Sequence, residues 1–176
     1  MLMLMQILTH TPNWVFIVFG ILLWQGINQM RPRTVGIHRA TLVPLAMTAL
    51  SLYGVVSVFG DTPQSLLTWV VGAAVAFAVY FQTAGAAQIQ YDAASRRFKV
   101  PGSVVPMTLF MGIFLTKYTV GVSTTMLPAL AHDSSFALFI GMLYGAFSGV
   151  FLARATQLWR VALAQSRADA QKTLLA

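Results

Sequence analysis

The sequence has no cysteine and no glutamate, and only 9% of its residues are charged. The absence of cysteine excludes disulfides, thiolate chemistry and cysteine-ligated metal sites. A soluble domain normally carries about 25% charged residues, so this chain has too few charges to keep a folded surface hydrated. Its acidic groups, Asp61, Asp92, Asp133 and Asp169, are also a small supply for acid–base catalysis.

Apolar residues are correspondingly abundant, at 57% of the 176 residues, and the mean hydropathy is +0.73. A helix needs about 20 such residues to cross the roughly 30 Å of bilayer hydrocarbon. Five stretches are long enough, namely Pro12–Met30, Thr41–Gly60, Ser65–Ala84, Ser103–Met126 and Ser135–Trp159. The sequence therefore predicts an all-α membrane protein, a five-transmembrane-helix bundle that forms one membrane domain over residues 1–176.

The basic residues orient this bundle. The net charge is +7, and ten of the eleven basic residues fall in the first connection, the third connection and the C-terminal segment. They are Arg31, Arg33, Arg39, Arg96, Arg97, Lys99, Arg154, Arg160, Arg167 and Lys172. Positive residues stay in the cytoplasm, which predicts an outside N-terminus and a cytoplasmic tail over residues 160–176. Such short clusters favour membrane topology over nucleic-acid binding.

The third connection predicts more than a linker. Ile89, Tyr91, Phe98 and Val100 alternate with polar residues around a turn. This alternation is typical of a short β-hairpin, here on the cytoplasmic side between helices three and four. The simpler interpretation is an ordered turn without a function of its own.

Two stripes of small residues predict helix packing. The stripe on helix five repeats at every fourth position, and that on helix four occupies one side of its helix. The two stripes are Ala137, Gly141, Gly145, Gly149 and Ala153, and Thr108, Gly112 and Thr116. Small residues allow close approach of helix backbones, so we expect helices four and five to pack together. The alternative is that one stripe forms a contact between copies of the chain.

Lys117 is a basic residue inside a predicted span, and Tyr118 lies beside it. A charge within the hydrocarbon is costly and marks a candidate functional residue. The simpler interpretation is a lysine at the outer edge, bonded to a carbonyl or to the carboxylate of Asp133 or Asp61. The functional alternative is a role in transport or gating.

His10, His132 and Asp133 are weak candidates for a metal site near the predicted outer surface. Imidazole and carboxylate groups suit zinc or copper, but the spacing matches no recognised site. We also find no metalloprotease motif, nucleophile elbow, phosphate loop or dinucleotide motif. The sequence therefore predicts no metal, no cofactor and no enzymatic activity.

Several segments together carry a resemblance to a known family: HTPNWVF, RPRTVGIHR, SLYGVVSVFG, YDAASRRFKVPGSVVP and MGIFLTKY. Through them the chain resembles a family of small, uncharacterised, multi-pass bacterial inner-membrane proteins with a domain of unknown function. The resemblance runs from about His10 into helix five, and one motif includes Lys117 and Tyr118. It implies a location and a size but no mechanism.

Two functional hypotheses follow. The first is a non-enzymatic membrane scaffold or accessory subunit that self-associates or binds a membrane protein partner, with the lipid bilayer as its surroundings. The alternative is a small oligomeric transporter or channel with Lys117 near the permeation route. A lack of buried ionisable groups weighs against the second hypothesis.

Overall fold

The computed structural model describes residues 12–60, 63–84, 89–92, 95 and 97–175. These residues form five α-helices, three short strands and a 3₁₀ turn over Pro128–His132. The helices are α1 (Asn13–Gln29), α2 (Ile37–Phe59), α3 (Gln64–Thr83), α4 (Val105–Met126) and α5 (Ser134–Leu175). The strands are β1 (Arg33–Gly36), β2 (Gln90–Asp92) and β3 (Arg97–Val100).

The chain divides into two compact units, each with its own contacts. The first, here called the helix pair, takes residues 1–31 and 102–130 and contains α1 and α4. The second, here called the three-helix unit, takes residues 32–101 and 131–176 and contains α2, α3, α5 and the strands.

Among the described helices, α2, α3, α4 and α5 are long and apolar enough to cross a membrane. The first helix, α1, has 17 residues and so spans about 26 Å. Large apolar side chains project outward, with Trp24 and Leu67 each 68% exposed. Extensive exposed apolar surface would cause association in water, whereas lipid solvates it. The helices are thus those of a membrane protein.

In the three-helix unit, α3 and α5 touch backbone to backbone. A Cβ atom at Gly145 would collide with the carbonyl of Trp69, and one at Gly149 with the carbonyl of Ala73. At Gly141 it would lie 2.5 Å from the carbonyl oxygen of Ser65. The contacts advance in the same direction along both helices, so α3 and α5 run parallel.

This contact corrects the predicted partner of the helix-five stripe. The stripe is a packing face, since Ala137 and Ala153 at its ends are also fully buried. However, Gly141, Gly145 and Gly149 contact α3, whereas the stripe was expected to meet the span Ser103–Met126. The spacing of small residues identifies a face that permits close approach, but it carries no information about which helix will use it.

A buried hydroxyl links the three helices of this unit. The Ser51 hydroxyl on α2 donates to the Tyr144 carbonyl oxygen on α5 at 2.9 Å. It also accepts a hydrogen bond from the Trp69 indole Nε1 on α3 at 3.0 Å. Hydrogen bonds between helices contribute to packing where no hydrophobic effect drives association.

In the helix pair, α1 and α4 run antiparallel. A Cβ atom at Gly26 would lie 2.9 Å from Cγ of Met107, and the rings of Phe19 and Phe114 are 5.3 Å apart. Met107 and Phe114 lie on the opposite side of α4 from the Thr108–Gly112–Thr116 stripe, at 100° per residue. The contact with α1 therefore does not use that stripe.

The predicted hairpin is present as β2 and β3, which pair antiparallel with Tyr91 opposite Phe98. The sheet has a third strand that the sequence did not predict. β1, from the first connection, pairs antiparallel with β3, giving the order β1-β3-β2. Helix α2 correspondingly begins at Ile37, four residues before the predicted start at Thr41.

Helix α5 continues far beyond its apolar part. Its 42 residues span about 63 Å, so the helix runs well past Trp159, the predicted end of the fifth span. The sheet packs on this extension, where Phe98, 1% exposed, forms a small core with Ala40 and Ala162. The Tyr91 amide also donates to Oε1 of Gln165 at 2.8 Å. We call the three strands and residues 158–165 of α5 the platform.

We expect Gly145→Ala to lower the free energy of unfolding by about 1–3 kcal/mol, the usual range for overpacking, because the new methyl group would push α3 away from α5. The thermal midpoint of the purified protein in detergent measures this. Gly121→Ala is the matched control, since no atom lies within 4 Å of a Cβ built there and alanine favours a helix. Equal midpoints for both variants would contradict the close contact.

We expect Phe98→Ala to destabilise the platform by about 3–5 kcal/mol, the range for removal of a buried phenylalanine. Hydrogen exchange of the backbone amides in β1 and β3 should accelerate, while that of α3 should not change. The control is Lys99→Ala, because this neighbouring side chain is exposed. Unchanged protection of the strands in Phe98→Ala would show that the sheet does not depend on this core.

Candidate functional site

The platform has two chemically different faces. Side chains alternate along a strand, so Val35, Tyr91 and Phe98 face α5 and pack in the small core. The other face carries Thr34, Gln90 and Lys99, which lie side by side in the register and are all exposed. The outer face is therefore polar and available to solvent or to another molecule.

Asp92 and Arg97 complete this outer face at one end of the sheet. They are opposite each other in the register of β2 and β3. The Asp92 carboxylate also accepts a hydrogen bond from the Ser95 hydroxyl at 2.7 Å. Asp92 and Arg97 are thus the strand residues next to the hairpin turn, of which only Ser95 is among the described residues.

Helix α5 holds the adjacent ends of α2 and α3 through a series of polar contacts. The Trp159 Nε1 donates to the Thr41 hydroxyl on α2 at 3.1 Å. Arg154 donates to the Tyr80 hydroxyl on α3 at 3.0 Å.

Two further contacts follow on the same stretch of α5. The Gln157 amide donates to the carbonyl oxygen of Ala84 at 2.6 Å, and the Arg160 guanidinium lies 5.0 Å from the ring centre of Phe81. Residues 154–165 of α5 thus hold α2, α3 and the sheet in one arrangement.

Two other arginines lie near enough to Arg33 to affect its charge. Arg33 lies on β1 on the side that faces the helices, two residues before Val35, and Arg39 lies in the first turn of α2. Burial lowers the pKa of the Arg33 guanidinium, and the nearby positive charges of Arg154 and Arg39 lower this pKa further. The charges of Arg154 and Arg39 therefore raise the electrostatic potential at Arg33.

The position of Arg154 along α5 can be compared with the thickness of a membrane. It lies 20 residues after Ser134, the first residue of the helix, which is about 30 Å at 1.5 Å per residue. This distance equals the thickness of bilayer hydrocarbon.

The sequence did not single out Arg33, Arg154 or Tyr80 as parts of one site. The arginines were interpreted as markers of topology, because a count of positive residues in each connection ignores which of them meet. The signal that could have found them is the spacing from Ser134 to Arg154, which matches one membrane thickness.

Lys117 and Tyr118 lie in the helix pair. Met107, Phe110, Phe114 and Lys117 fall within about 80° of arc on α4, so Lys117 is on the edge of the face that contacts α1. The Phe114 and Tyr118 rings stack at 6.3 Å. The structure thus places Lys117 beside a helix contact, and its part in transport stays a prediction.

The metal candidates have other structural roles or fall outside the described residues. The Asp133 carboxylate accepts a hydrogen bond from the Phe136 amide at 2.7 Å, so Asp133 is the N-cap of α5. His132 ends the 3₁₀ turn. His10 and Asp61 lie outside the described residues. Within the described part of the chain, no three His, Cys, Asp or Glu residues form a group that could hold a metal ion.

The comparisons with known proteins give a family without an assigned activity. No curated protein and no solved structure matches the chain. One family model does match, over residues 1–171, and it describes a family of unknown function (DUF6622). This match covers both units and all the segments that carried the resemblance. The chain therefore belongs to the DUF6622 family of unknown function.

Proposed function

We propose that this protein is a non-enzymatic accessory protein of the bacterial inner membrane that binds a partner protein through the outer face of its platform. The observation that carries the proposal is the sheet itself. Two connections and the C-terminal helix join to form an ordered, polar, exposed surface at one end of an apolar helix unit. A protein that only filled the membrane would not need such a surface.

In this proposal all five helices span the bilayer, with the N-terminus outside and the platform in the cytoplasm. The helix directions support it. α1 and α4 are antiparallel, α3 and α5 are parallel, and α2 is antiparallel to α5, because Ser51 bonds to Tyr144 and Thr41 to Trp159. The basic residues of the platform support a cytoplasmic location for it by the positive-inside rule.

Binding of a partner protein to the outer face is favoured over self-association of the chain through the helix-five stripe. Gly141, Gly145 and Gly149 already contact α3 of the same chain, so that stripe is covered. The exposed face of the sheet carries Lys99 and Arg97 beside Thr34 and Gln90, which suits a partner with acidic and hydrogen-bonding groups.

Single-cysteine variants test the orientation, and the absence of native cysteine makes every label report the introduced residue. In intact cells, a membrane-impermeant maleimide should label Gln64→Cys and Ser134→Cys. It should label Ser95→Cys only after the cytoplasmic membrane is opened. The reverse pattern would overturn the orientation, and labelling of all three sites on one side would overturn the number of spans.

Photo-crosslinking in living cells tests the partner. A photoreactive residue at Gln90 on the outer face should give one discrete adduct with another protein, and the same residue at Leu67, 68% exposed on α3, should not. Lys99→Glu should weaken the Gln90 adduct, because it replaces a positive charge of the outer face with a negative one.

Two results would contradict the proposed partner. One is an adduct at twice the mass of the chain, which would indicate self-association. The other is an outer face that gives no adduct while the platform remains protected from hydrogen exchange.

A further inference from the structure

The outer face of the platform consists of two rows of residues that run across the three strands. Members of a row are cross-strand neighbours, so their side chains lie side by side on the face. The rows are Thr34, Lys99 and Gln90, and Gly36, Arg97 and Asp92. Gly36 is the one member of these rows without a side chain. The second row therefore has a gap on the β1 side of Arg97.

Neither packing nor backbone conformation requires glycine at this gap. No atom lies within 4 Å of a Cβ built at Gly36, so a side chain would fit there. The backbone angles of Gly36, φ −71° and ψ 152°, are extended and open to any residue. Gly36 is also the N-cap of α2, where aspartate, asparagine and serine are stronger caps. The open space beside Arg97 is therefore available to a side chain from another molecule.

The charges around the gap favour an anionic group. Arg97 is exposed and has Asp92 opposite it on the other side of the row. The Asp92 carboxylate accepts hydrogen bonds from the Ser95 hydroxyl at 2.7 Å and from the Ser95 amide at 3.5 Å. Lys99 is exposed on the same face, about 7 Å along β3 from Arg97. Two side chains of the rows are thus positive and one is negative.

We propose that the gap receives an aspartate or glutamate side chain of the partner protein, whose carboxylate binds Arg97. This inference rests on the proposed function and specifies where the partner is anchored. The guanidinium suits a carboxylate because it can donate two parallel N–H bonds to it. The positive charge of Lys99 adds to the attraction, and Thr34 and Gln90 present hydrogen-bonding groups to neighbouring residues of the partner.

A protein segment suits the outer face better than a lipid headgroup. The side chains of the two rows are hydroxyl, amide or charged groups, so the rows offer no apolar surface to an acyl chain. The apolar side chains of the strands, including Val35, Tyr91 and Phe98, lie on the opposite face and pack in the small core. A phospholipid could therefore use only its headgroup here, whereas a peptide can bind along both rows.

Two substitutions of Gly36 test the anchor, with the photoreactive residue at Gln90 in living cells as the readout. Gly36→Asp places a carboxylate beside Arg97, and Gly36→Asn introduces a side chain of the same size without the charge. We expect the yield of the protein adduct to be about tenfold lower in Gly36→Asp than in Gly36→Asn, the effect of losing one charge-assisted hydrogen bond. Both residues are favoured N-caps, so neither variant should have a lower thermal midpoint.

Asp92→Asn tests the same charge from the other side of Arg97. Without this carboxylate the guanidinium attracts an incoming anion more strongly, so the adduct yield should rise above that of the wild type. A substitution that only loosened the hairpin would lower it. An unchanged yield, with the strands still protected from hydrogen exchange, would contradict the role of Arg97. The two Gly36 variants decide the question if Asp92→Asn unfolds the hairpin.

Three outcomes would overturn the anchor. One is an equal adduct yield in Gly36→Asp and Gly36→Asn, which would show that charge at the gap does not matter and would leave the proposed partner intact. Another is an adduct between Gln90 and a phospholipid instead of a protein, which would show that the face contacts headgroups. The third is the absence of any Gln90 adduct when Gly36 is unchanged, which would remove the proposed partner as well.

Discussion

The backbone contact between α3 and α5 is the interaction on which the three-helix unit depends. Gly145 and Gly149 let the carbonyls of α3 approach α5 to a distance that any side chain would prevent. Helices in lipid gain little from burying apolar surface, so close packing and hydrogen bonds hold them together. With α3 and α5 in this position, the Ser51 hydroxyl of α2 can contact both of them.

Helix α5 also positions the ends of α2 and α3 at the end of the unit. Because α5 continues about twice the membrane thickness, its later turns carry Arg154, Gln157 and Trp159 to the ends of α3 and α2. Beyond them the helix provides the surface on which the sheet packs around Phe98. The polar face of the platform and the Arg154–Tyr80 contact are consequences of one continuous helix.

Local sequence patterns predicted the elements well where a single segment contains the whole signal. The hairpin follows from the alternation around Tyr91 and Phe98, and the packing face of α5 follows from its small residues. The pairing of β1 with β3 was missed because Arg33–Gly36 is too short and too polar to predict a strand. Arg33–Gly36 forms a strand because its backbone pairs with the edge of β3. The start of α2 was misplaced for the same reason.

The sequence by itself determined that the chain is an apolar helical membrane protein, where its basic residues concentrate, and to which family it belongs. Only the tertiary structure decided that the stripe of α5 meets α3, that Lys117 lies at the edge of a contact with α1, and that Arg154 bonds to Tyr80. The physical reason is that hydropathy and periodicity are sums over neighbouring residues. A contact between distant segments depends on how several helices share the available space.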